Sequence, residues 1–303
     1  MSDLSVNIGD LRLANPILAA SGTFGYGSEV ARLYDVNILG GIVTKTITRA
    51  QRPGNPPDRL AETPSGILNS IGLANVGIDN FISDKLPFLR SLSTSVIVNI
   101  AGESIDDFLF LIDRLEEHQG IDGYELNLSC PNVAGGLDFG IDPKLAGKIV
   151  KETKKRSKKC IIPKLTPNIT DIAVIAKAVE DNGADAISLI NTIVGMSVNV
   201  STKRPKLGEI MGGLSGPAIR PVALAMVYKA RKAVKIPLIG IGGISSVNDV
   251  LEFLITGASA VQIGTFNFVN PKAPIEILKE LEQYLETNNF TSVKELSGSL
   301  ITR

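Results

Sequence analysis

The sequence has few histidines and cysteines, the side chains that most often hold zinc and iron–sulfur clusters. Its 303 residues include one histidine, His118, two cysteines, Cys130 and Cys160, and no tryptophan. One histidine excludes a zinc site built from several histidines and leaves a single candidate for a Ser-His or Cys-His pair. Two cysteines are too few for an iron–sulfur cluster, which takes four cysteines or two cysteines and two histidines. We therefore expect no metal site in this chain.

The chain also lacks a charge excess and long apolar runs. Its 31 basic side chains balance 31 acidic ones, so the basic face of a nucleic-acid binder is not expected. No stretch reaches the roughly 18 apolar residues of a membrane helix. The first ten residues, MSDLSVNIGD, lack the basic and apolar regions of a secretory signal. The balanced charge and the lack of long apolar runs predict a protein that binds neither a nucleic acid nor a membrane. The scarcity of cysteine is typical of a reducing compartment, so we expect the protein to be cytoplasmic.

Short apolar runs recur along the chain and are unbroken rather than alternating. Unbroken runs are typical of parallel strands that are buried on both faces. The eight runs cover residues 17–20, 41–44, 96–100, 123–128, 161–165, 186–190, 237–241 and 260–264. Helical patterns lie between most of them, at 104–118, 170–182, 217–234, 246–256 and 274–287. This alternation predicts an α/β fold, a (β/α)8 TIM barrel, with one domain over residues 1–303.

Two connections, 46–78 and 191–215, are longer than usual and are predicted to be functional loops over the carboxyl-terminal face of the barrel. Active sites of such barrels lie where the strands end. The side chains at these ends are lysines, asparagines and serine, without a carboxylate. They are Ser21, Lys45, Asn99, Asn127, Lys164 and Asn191. This set donates many hydrogen bonds and carries positive charge, which suits an anionic, carbonyl-rich ligand.

Glycines follow the seventh and eighth runs, where barrels commonly bind phosphate. Gly242 and Gly243 follow the seventh run, and Gly264 and Thr265 follow the eighth. Backbone N–H groups can approach a phosphate closely at glycine. Gly216, which opens a predicted helix, adds a further donor. These positions predict a phosphate site.

The two cysteines differ in their surroundings. Cys130 follows the fourth run and enters a glycine-containing segment, so its thiolate could act as a nucleophile or base. Cys160 begins the fifth run and is expected to pack in the core. His118 falls at the end of a predicted outer helix, where it is a poor activator for Cys130.

Several motifs together resemble the class 1 dihydroorotate dehydrogenases, and most closely the class 1B catalytic subunits, over nearly the whole chain. The segments that carry the resemblance are 19–22 (AASG), 44–46 (TKT), 52–56 (RPGNP), 69–73 (NSIGL), 127–132 (NLSCPN), 164–168 (KLTPN), 212–216 (GGLSG) and 241–244 (IGGI). Each is short, but their order and their positions at predicted strand ends make the combination specific.

The resemblance implies an FMN enzyme that oxidises (S)-dihydroorotate to orotate in pyrimidine (UMP) biosynthesis. Cys130 would remove the proton from carbon 5, and a hydride would pass from carbon 6 to the flavin, with Lys45 as a second catalytic residue. The implied FMN residues are Ser21, Lys45, Thr46, Asn99, Asn127, Lys164, Ile190, Gly216, Gly242, Gly243, Gly264 and Thr265. The implied substrate residues are Lys45, Asn69, Ser70, Ile71, Gly72, Leu73, Asn127, Asn191 and Thr192.

The resemblance also implies a subclass and a partner. Class 2 enzymes use a serine base and an N-terminal extension, whereas this chain has Cys130 and begins close to its first predicted strand. Segments 21–27 and 257–261 are more similar to class 1B than to the fumarate-using class 1A. Class 1B enzymes pass electrons to NAD through a subunit that carries FAD and an iron–sulfur cluster. The implied assembly is a homodimer within a heterotetramer.

Other functions remain open on the residues alone. A class 1A enzyme would use fumarate and need no partner. A phosphate-binding barrel lyase or isomerase would use the glycines but would leave the NLSCPN motif unexplained. A barrel without enzymatic activity would not require Lys45, Asn99, Asn127 and Lys164 at four strand ends.

Overall fold

A computed structural model describes residues 2–129 and 139–302. Eight parallel strands form a closed barrel in which each strand pairs with the next along the chain and the eighth pairs with the first. In chain order the barrel strands are β1 Ile17–Ala19, β2 Gly41–Val43, β3 Ser95–Ile100, β4 Gly123–Asn127, β5 Cys160–Leu165, β6 Ile187–Leu189, β7 Leu238–Ile241 and β8 Ala260–Ile263. The predicted (β/α)8 barrel is confirmed, and each predicted run matches its strand within one residue at either end.

Helices pack around the barrel and return the chain to the start of each next strand. They are Gly77–Asn80, Leu86–Arg90, Ile105–Glu116, Pro143–Arg156, Ile172–Asp181, Arg220–Ala233, Val247–Thr256 and Ala273–Thr287, with a π-helical turn at Phe81–Lys85 and 3-10 turns at Val36–Ile38, Pro217–Ile219, Thr265–Phe268 and Val293–Leu296. In the described residues no helix is long and apolar enough to cross a membrane.

Local sequence signals explain where several helices begin. Ser104 caps Ile105–Glu116 by accepting a hydrogen bond from the Asp107 N–H, and Asp107 reciprocates at the Ser104 N–H. The predicted helix 217–234 is divided into a 3-10 turn and an α-helix. Pro221 explains this division because proline has no N–H to donate to the carbonyl four residues earlier. His118 lies two residues beyond Glu116, where its N–H donates to the Leu115 carbonyl, so it falls at the end of an outer helix as predicted.

The two long connections contain strands that pair with each other, which the sequence did not predict. Leu60–Thr63 and Gly66–Asn69 form one hairpin, and Ile193–Met196 and Met211–Ser215 form another. Gly66–Asn69 pairs antiparallel with Met211–Ser215. These four strands form the upper sheet, which extends from the carboxyl ends of β2 and β6. A shorter pair joins Val198–Asn199 to Arg204–Pro205.

A hairpin covers the opposite end of the barrel. Its strands are Val6–Ile8 and Leu11–Leu13; Val6, Ile8 and Leu13 are buried and Leu11 is half-buried. Cys160, at the start of β5, places its sulfur 3.3 Å from the carbonyl oxygen of Ile8. Burial raises the pKa of the Cys160 thiol to about 12. The predicted core role of Cys160 is therefore confirmed.

Candidate active site

Buried polar side chains occupy the carboxyl-terminal ends of three consecutive barrel strands. Asn99 lies at the end of β3, Asn127 at the end of β4 and Lys164 at the end of β5, with 1%, 9% and 6% of their surfaces exposed. Beside them, the Ser21 and Thr46 hydroxyl oxygens lie 3.4 Å apart and join the segments that follow β1 and β2. The structure thus brings these sequence-predicted residues to one end of the barrel.

Lys45 and Ile190 belong to the same end. Lys45 follows β2, and its backbone N–H donates to the Gly25 carbonyl at 2.8 Å. Its side chain is half-buried and has no ion-pair partner among residues 2–129 and 139–302. Ile190, just after β6, is buried and donates its N–H to the Ile241 carbonyl. Cys130 lies outside the described residues.

A carboxylate lies beneath this layer, inside the barrel. Glu125 on β4 is fully buried, and its Oε2 accepts a hydrogen bond from Asn99 Nδ2 at 2.5 Å. The same oxygen lies 3.6 Å from Lys164 Nζ. Its Oε1 accepts a hydrogen bond from Gln262 Nε2 on β8 at 2.6 Å. We call Asn99, Glu125, Lys164 and Gln262 the barrel polar cluster.

Sequence reasoning missed Glu125 and Gln262 because both fall inside runs interpreted as apolar strands. A charged residue in such a strand is itself a signal, since carboxylates are seldom fully buried without partners. Glu125 at the centre of the fourth run could have been identified in this way.

The predicted substrate residues form a continuous line of contacts from the upper sheet to β4. Asn69 donates its side-chain amide to the Gly213 carbonyl at 3.1 Å. Gly213 lies against Thr192, since a Cβ at Gly213 would be 2.0 Å from the Thr192 hydroxyl oxygen. The Thr192 N–H donates to Asn191 Oδ1, and Asn191 Nδ2 lies 3.4 Å from Asn127 Oδ1. Residues from four separate segments therefore converge.

Asn55 fixes the shape of residues 70–73 within the predicted substrate segment 69–73. Its side chain donates to the Ser70 carbonyl at 3.1 Å, and its N–H donates to the Ile71 carbonyl at 3.0 Å. Gly72 and Leu73 have φ values of 70° and 54°. A Cβ at Gly72 would lie 2.3 Å from Asn55 Oδ1, so glycine is required for this close approach.

The predicted phosphate glycines also come together. Gly216 and Gly243 have φ values of 94° and 73°, in the region that favours glycine. A Cβ on Gly243 would lie 2.8 Å from the Gly216 carbonyl oxygen, so the two segments touch. Thr265, after β8, donates its hydroxyl to the Ser215 hydroxyl at 2.8 Å. We call Gly216, Gly242, Gly243, Gly264 and Thr265 the glycine corner.

Arg220, a cation beside the glycine corner, is already paired with carboxylates. A Cβ on Gly243 would lie 2.8 Å from Arg220 Cβ. The Arg220 guanidinium pairs with Asp249, and its Nε lies 3.1 Å from Glu252 Oε2. Anion binding at the glycine corner would therefore depend mainly on backbone N–H groups, because the Thr265 hydroxyl already donates to Ser215.

Fold and site together define a (β/α)8-barrel protein whose ligand site lies at the carboxyl ends of its strands. The chain matches the family described as Dihydroorotate dehydrogenase over residues 3–285. It belongs to that family.

Similar proteins agree with this assignment. The chain is 54% identical over 299 residues to dihydroorotate dehydrogenase B (NAD(+)), catalytic subunit, of Thermoanaerobacter sp. (strain X514), covering 98% of this chain and 99% of that protein. It is 48% identical over 301 residues to the protein of the same name from Bacteroides thetaiotaomicron, covering 99% of both. The class 1B resemblance predicted from the motifs is confirmed.

A solved structure agrees with the fold. It is described as DHODH in complex with ferulenol from Eimeria tenella, and it matches with a TM-score of 0.83 and 22% identity. The match covers 98% of this chain and 88% of that chain. At this level of identity the likeness concerns the barrel architecture alone.

Proposed function

We propose that this chain is the catalytic subunit of an NAD-linked dihydroorotate dehydrogenase, which oxidises (S)-dihydroorotate to orotate in pyrimidine biosynthesis. The observation that carries the proposal is the convergence of lysines, asparagines and the glycine corner at one barrel end. Full-length similarity to proteins named as catalytic subunits of this enzyme supports it.

The donor and acceptor groups at this end suit FMN, a phosphorylated ligand with a ring of carbonyls and N–H groups. Gly216, Gly242, Gly243 and Thr265 would hold the phosphate. The buried Asn99 Oδ1 has no hydrogen-bond partner among the described residues, which makes it an acceptor for a ring N–H. Apart from its chain neighbours, a Cβ at Gly264 would meet only Ala20 Cβ among the described residues, at 3.5 Å, which leaves room for a ligand beside the end of β8.

The remaining proposed FMN residues would surround the same space. They are Ser21, Lys45, Thr46, Asn127, Lys164, Ile190 and Gly264. When bound, FMN would supply the acceptor for the hydride. Lys45 and Lys164 would place positive charge beside a ring that gains electrons, and fixed charges of this kind act strongly in a site that excludes water.

The line of contacts from Asn69 to Asn127 would hold the substrate. Side-chain amides offer both donors and acceptors, which match the alternating N–H and carbonyl groups of a pyrimidine ring. The segment 70–73 would form one wall, and Asn191 and Thr192 the opposite one. Cys130 would accept the carbon-5 proton; this role comes from the resemblance and the sequence position.

The proposed assembly includes a partner subunit that carries FAD and an iron–sulfur cluster and passes electrons to NAD. The two cysteines and one histidine of this chain are too few to hold such a cluster. We propose a heterotetramer with two copies of each subunit, working in the cytoplasm.

Anaerobic mixing of the FMN-reconstituted chain with dihydroorotate tests the function. We expect the flavin absorbance to bleach, orotate to form and FMN to be released on denaturation. Folded protein that cannot be reconstituted with FMN would contradict the proposal. Fumarate-dependent turnover by the isolated chain would contradict only the NAD-linked subclass.

A further inference from the structure

The barrel polar cluster contains a buried ion pair between Glu125 and Lys164. Glu125 is completely buried, and the Lys164 side chain is 8% exposed. Their closest charged atoms are 3.6 Å apart, which is an ion-pair distance but longer than an N–H···O hydrogen bond. Lys164 Nζ donates no hydrogen bond within residues 2–129 and 139–302. Its three N–H groups therefore remain available to a ligand above the cluster.

Glu125 determines how two side-chain amides face. An ionised carboxylate only accepts hydrogen bonds, so Asn99 and Gln262 must both turn their NH2 groups toward it. The carbonyl oxygens Asn99 Oδ1 and Gln262 Oε1 then point elsewhere, and both are buried without a partner in the described residues. Asn99 is thereby presented to the site as an acceptor rather than as a donor.

The negative charge of Glu125 also affects how readily a ligand in this site accepts electrons. A buried negative charge opposes the accumulation of electrons nearby, and it offsets the positive charge of Lys164. The strength of this opposition depends on low exposure, because water would otherwise screen the charges. Both members of the pair meet this condition.

We infer that Glu125 is a positioning residue that sets the acceptor face of Asn99 and lowers the reduction potential of the flavin through its charge beside Lys164. The inference rests on the proposed function. It assigns no contact with flavin or substrate to Glu125 itself, which acts through Asn99 and Lys164.

The test is E125Q in the FMN-loaded full chain, with redox titration against a reference dye and measurement of FMN affinity. Removal of the negative charge should favour reduced over oxidised FMN by about tenfold, equivalent to a rise of about 30 mV for a two-electron couple. S188A is the matched control, since Ser188 pairs with Lys164 in the sheet and its buried hydroxyl has no partner among the described residues. S188A should leave the potential unchanged.

The outcomes separate the inference from the function on which it rests. A wild-type chain that binds no FMN would overturn the proposed function. An E125Q chain with weaker FMN binding but an unchanged potential would reduce Glu125 to a structural role and overturn the inference.

A neutral double variant keeps the inference testable where E125Q fails to fold. E125Q/K164Q removes both charges from the barrel interior and is compared with K164Q, so the two chains differ only at Glu125. We expect the double variant to favour reduced over oxidised FMN about tenfold more than K164Q does, a difference of about 30 mV for two electrons. Equal potentials in the two chains would overturn the inference.

Discussion

The two ends of the barrel differ in whether their polar side chains have partners within the protein. At the amino-terminal end, Lys154 Nζ lies 2.5 Å from Asp185 Oδ2, and the Tyr124 hydroxyl donates to Glu116 at 2.8 Å. At the carboxyl-terminal end, Asn99 Oδ1 and Ser70 Oγ are buried without partners among the described residues. Both ends share one set of strands, so the difference comes from the side chains placed there. One end uses its polar groups to stabilise the fold, and the other holds them for a ligand.

Two lysine–carboxylate pairs allow the comparison to be measured. The Lys164–Glu125 side chains are 8% and 0% exposed, whereas those of Lys154–Asp185 are 31% and 20% exposed. Removing one partner of a buried pair leaves an uncompensated charge, which costs far more than the loss of a partly exposed pair.

The largest expected effect is therefore on stability at the carboxyl-terminal end. Lys164→Met should lower the free energy of unfolding by about 3–5 kcal/mol. The matched variant Lys154→Met should lower it by about 1 kcal/mol or less. Urea unfolding of both variants without FMN measures the difference, and equal losses would show that the two ends do not differ in this way.

The next effect concerns the two thiols. Cys130→Ser should slow reduction of bound FMN by dihydroorotate about 100-fold, as expected on loss of a positioned base. Cys160→Ala should leave that rate near the wild-type value, because Cys160 is a buried thiol at the other end of the barrel. Anaerobic stopped-flow absorbance gives both rates, and an undiminished rate in Cys130→Ser would remove Cys130 from the reaction.

A smaller effect is expected from replacing either of two glycines that have left-handed backbone conformations. Gly243→Ala and Gly298→Ala both force alanine to a positive φ, near 73° and 76°, which by itself should cost about 1 kcal/mol of stability in each. Gly243→Ala adds clashes with the Gly216 carbonyl oxygen and Arg220 Cβ, so its total loss should be larger, whereas a Cβ at Gly298 meets nothing within 4 Å in the described part of the chain.

FMN titration followed by fluorescence separates the two glycine variants. Gly243→Ala should weaken FMN binding about tenfold, equivalent to about 1.4 kcal/mol, and Gly298→Ala should not change it. Similar losses of FMN affinity in both would mean that general destabilisation, rather than the glycine corner, is responsible.

The smallest effect is a pH dependence of stability at the amino-terminal end. Burial raises the Cys160 pKa from 9.0 to about 12, so the neutral thiol stabilises the folded state fully below pH 9. That stabilisation is lost as the pH rises from about 9 toward 12, because the unfolded thiol ionises first. Between pH 8 and pH 9.5 the wild type should lose about 0.8 kcal/mol more than Cys160→Ala. Parallel losses in both chains would contradict the burial of this thiol.

The sequence predicted the barrel because each strand and most helices have local signals. Unbroken apolar runs marked the strands, and Ser104 marked the start of a helix three residues before the Asp107 that completes its cap. The upper sheet was missed because Gly66–Asn69 pairs with Met211–Ser215, and no local pattern records a pairing between segments so far apart.

Only part of the site could be predicted, because some of its contacts also join segments that are far apart in the sequence. Strand-end positions revealed Asn99 and Lys164, since parallel strands finish at one face. The contacts of Glu125 with Asn99 and Gln262 join β4 to strands β3 and β8, and only the closed barrel brings β8 across to β4. Its role therefore depended on the three-dimensional arrangement.

Hydrogen exchange with and without FMN tests most directly the claim that ligand binding belongs to the carboxyl-terminal end. On addition of FMN, amides in 242–245 and 264–267 should exchange more slowly. Amides of the Val6–Ile8 and Leu11–Leu13 hairpin at the opposite end should be unaffected. Protection of that hairpin, without protection of the glycine corner, would contradict the account.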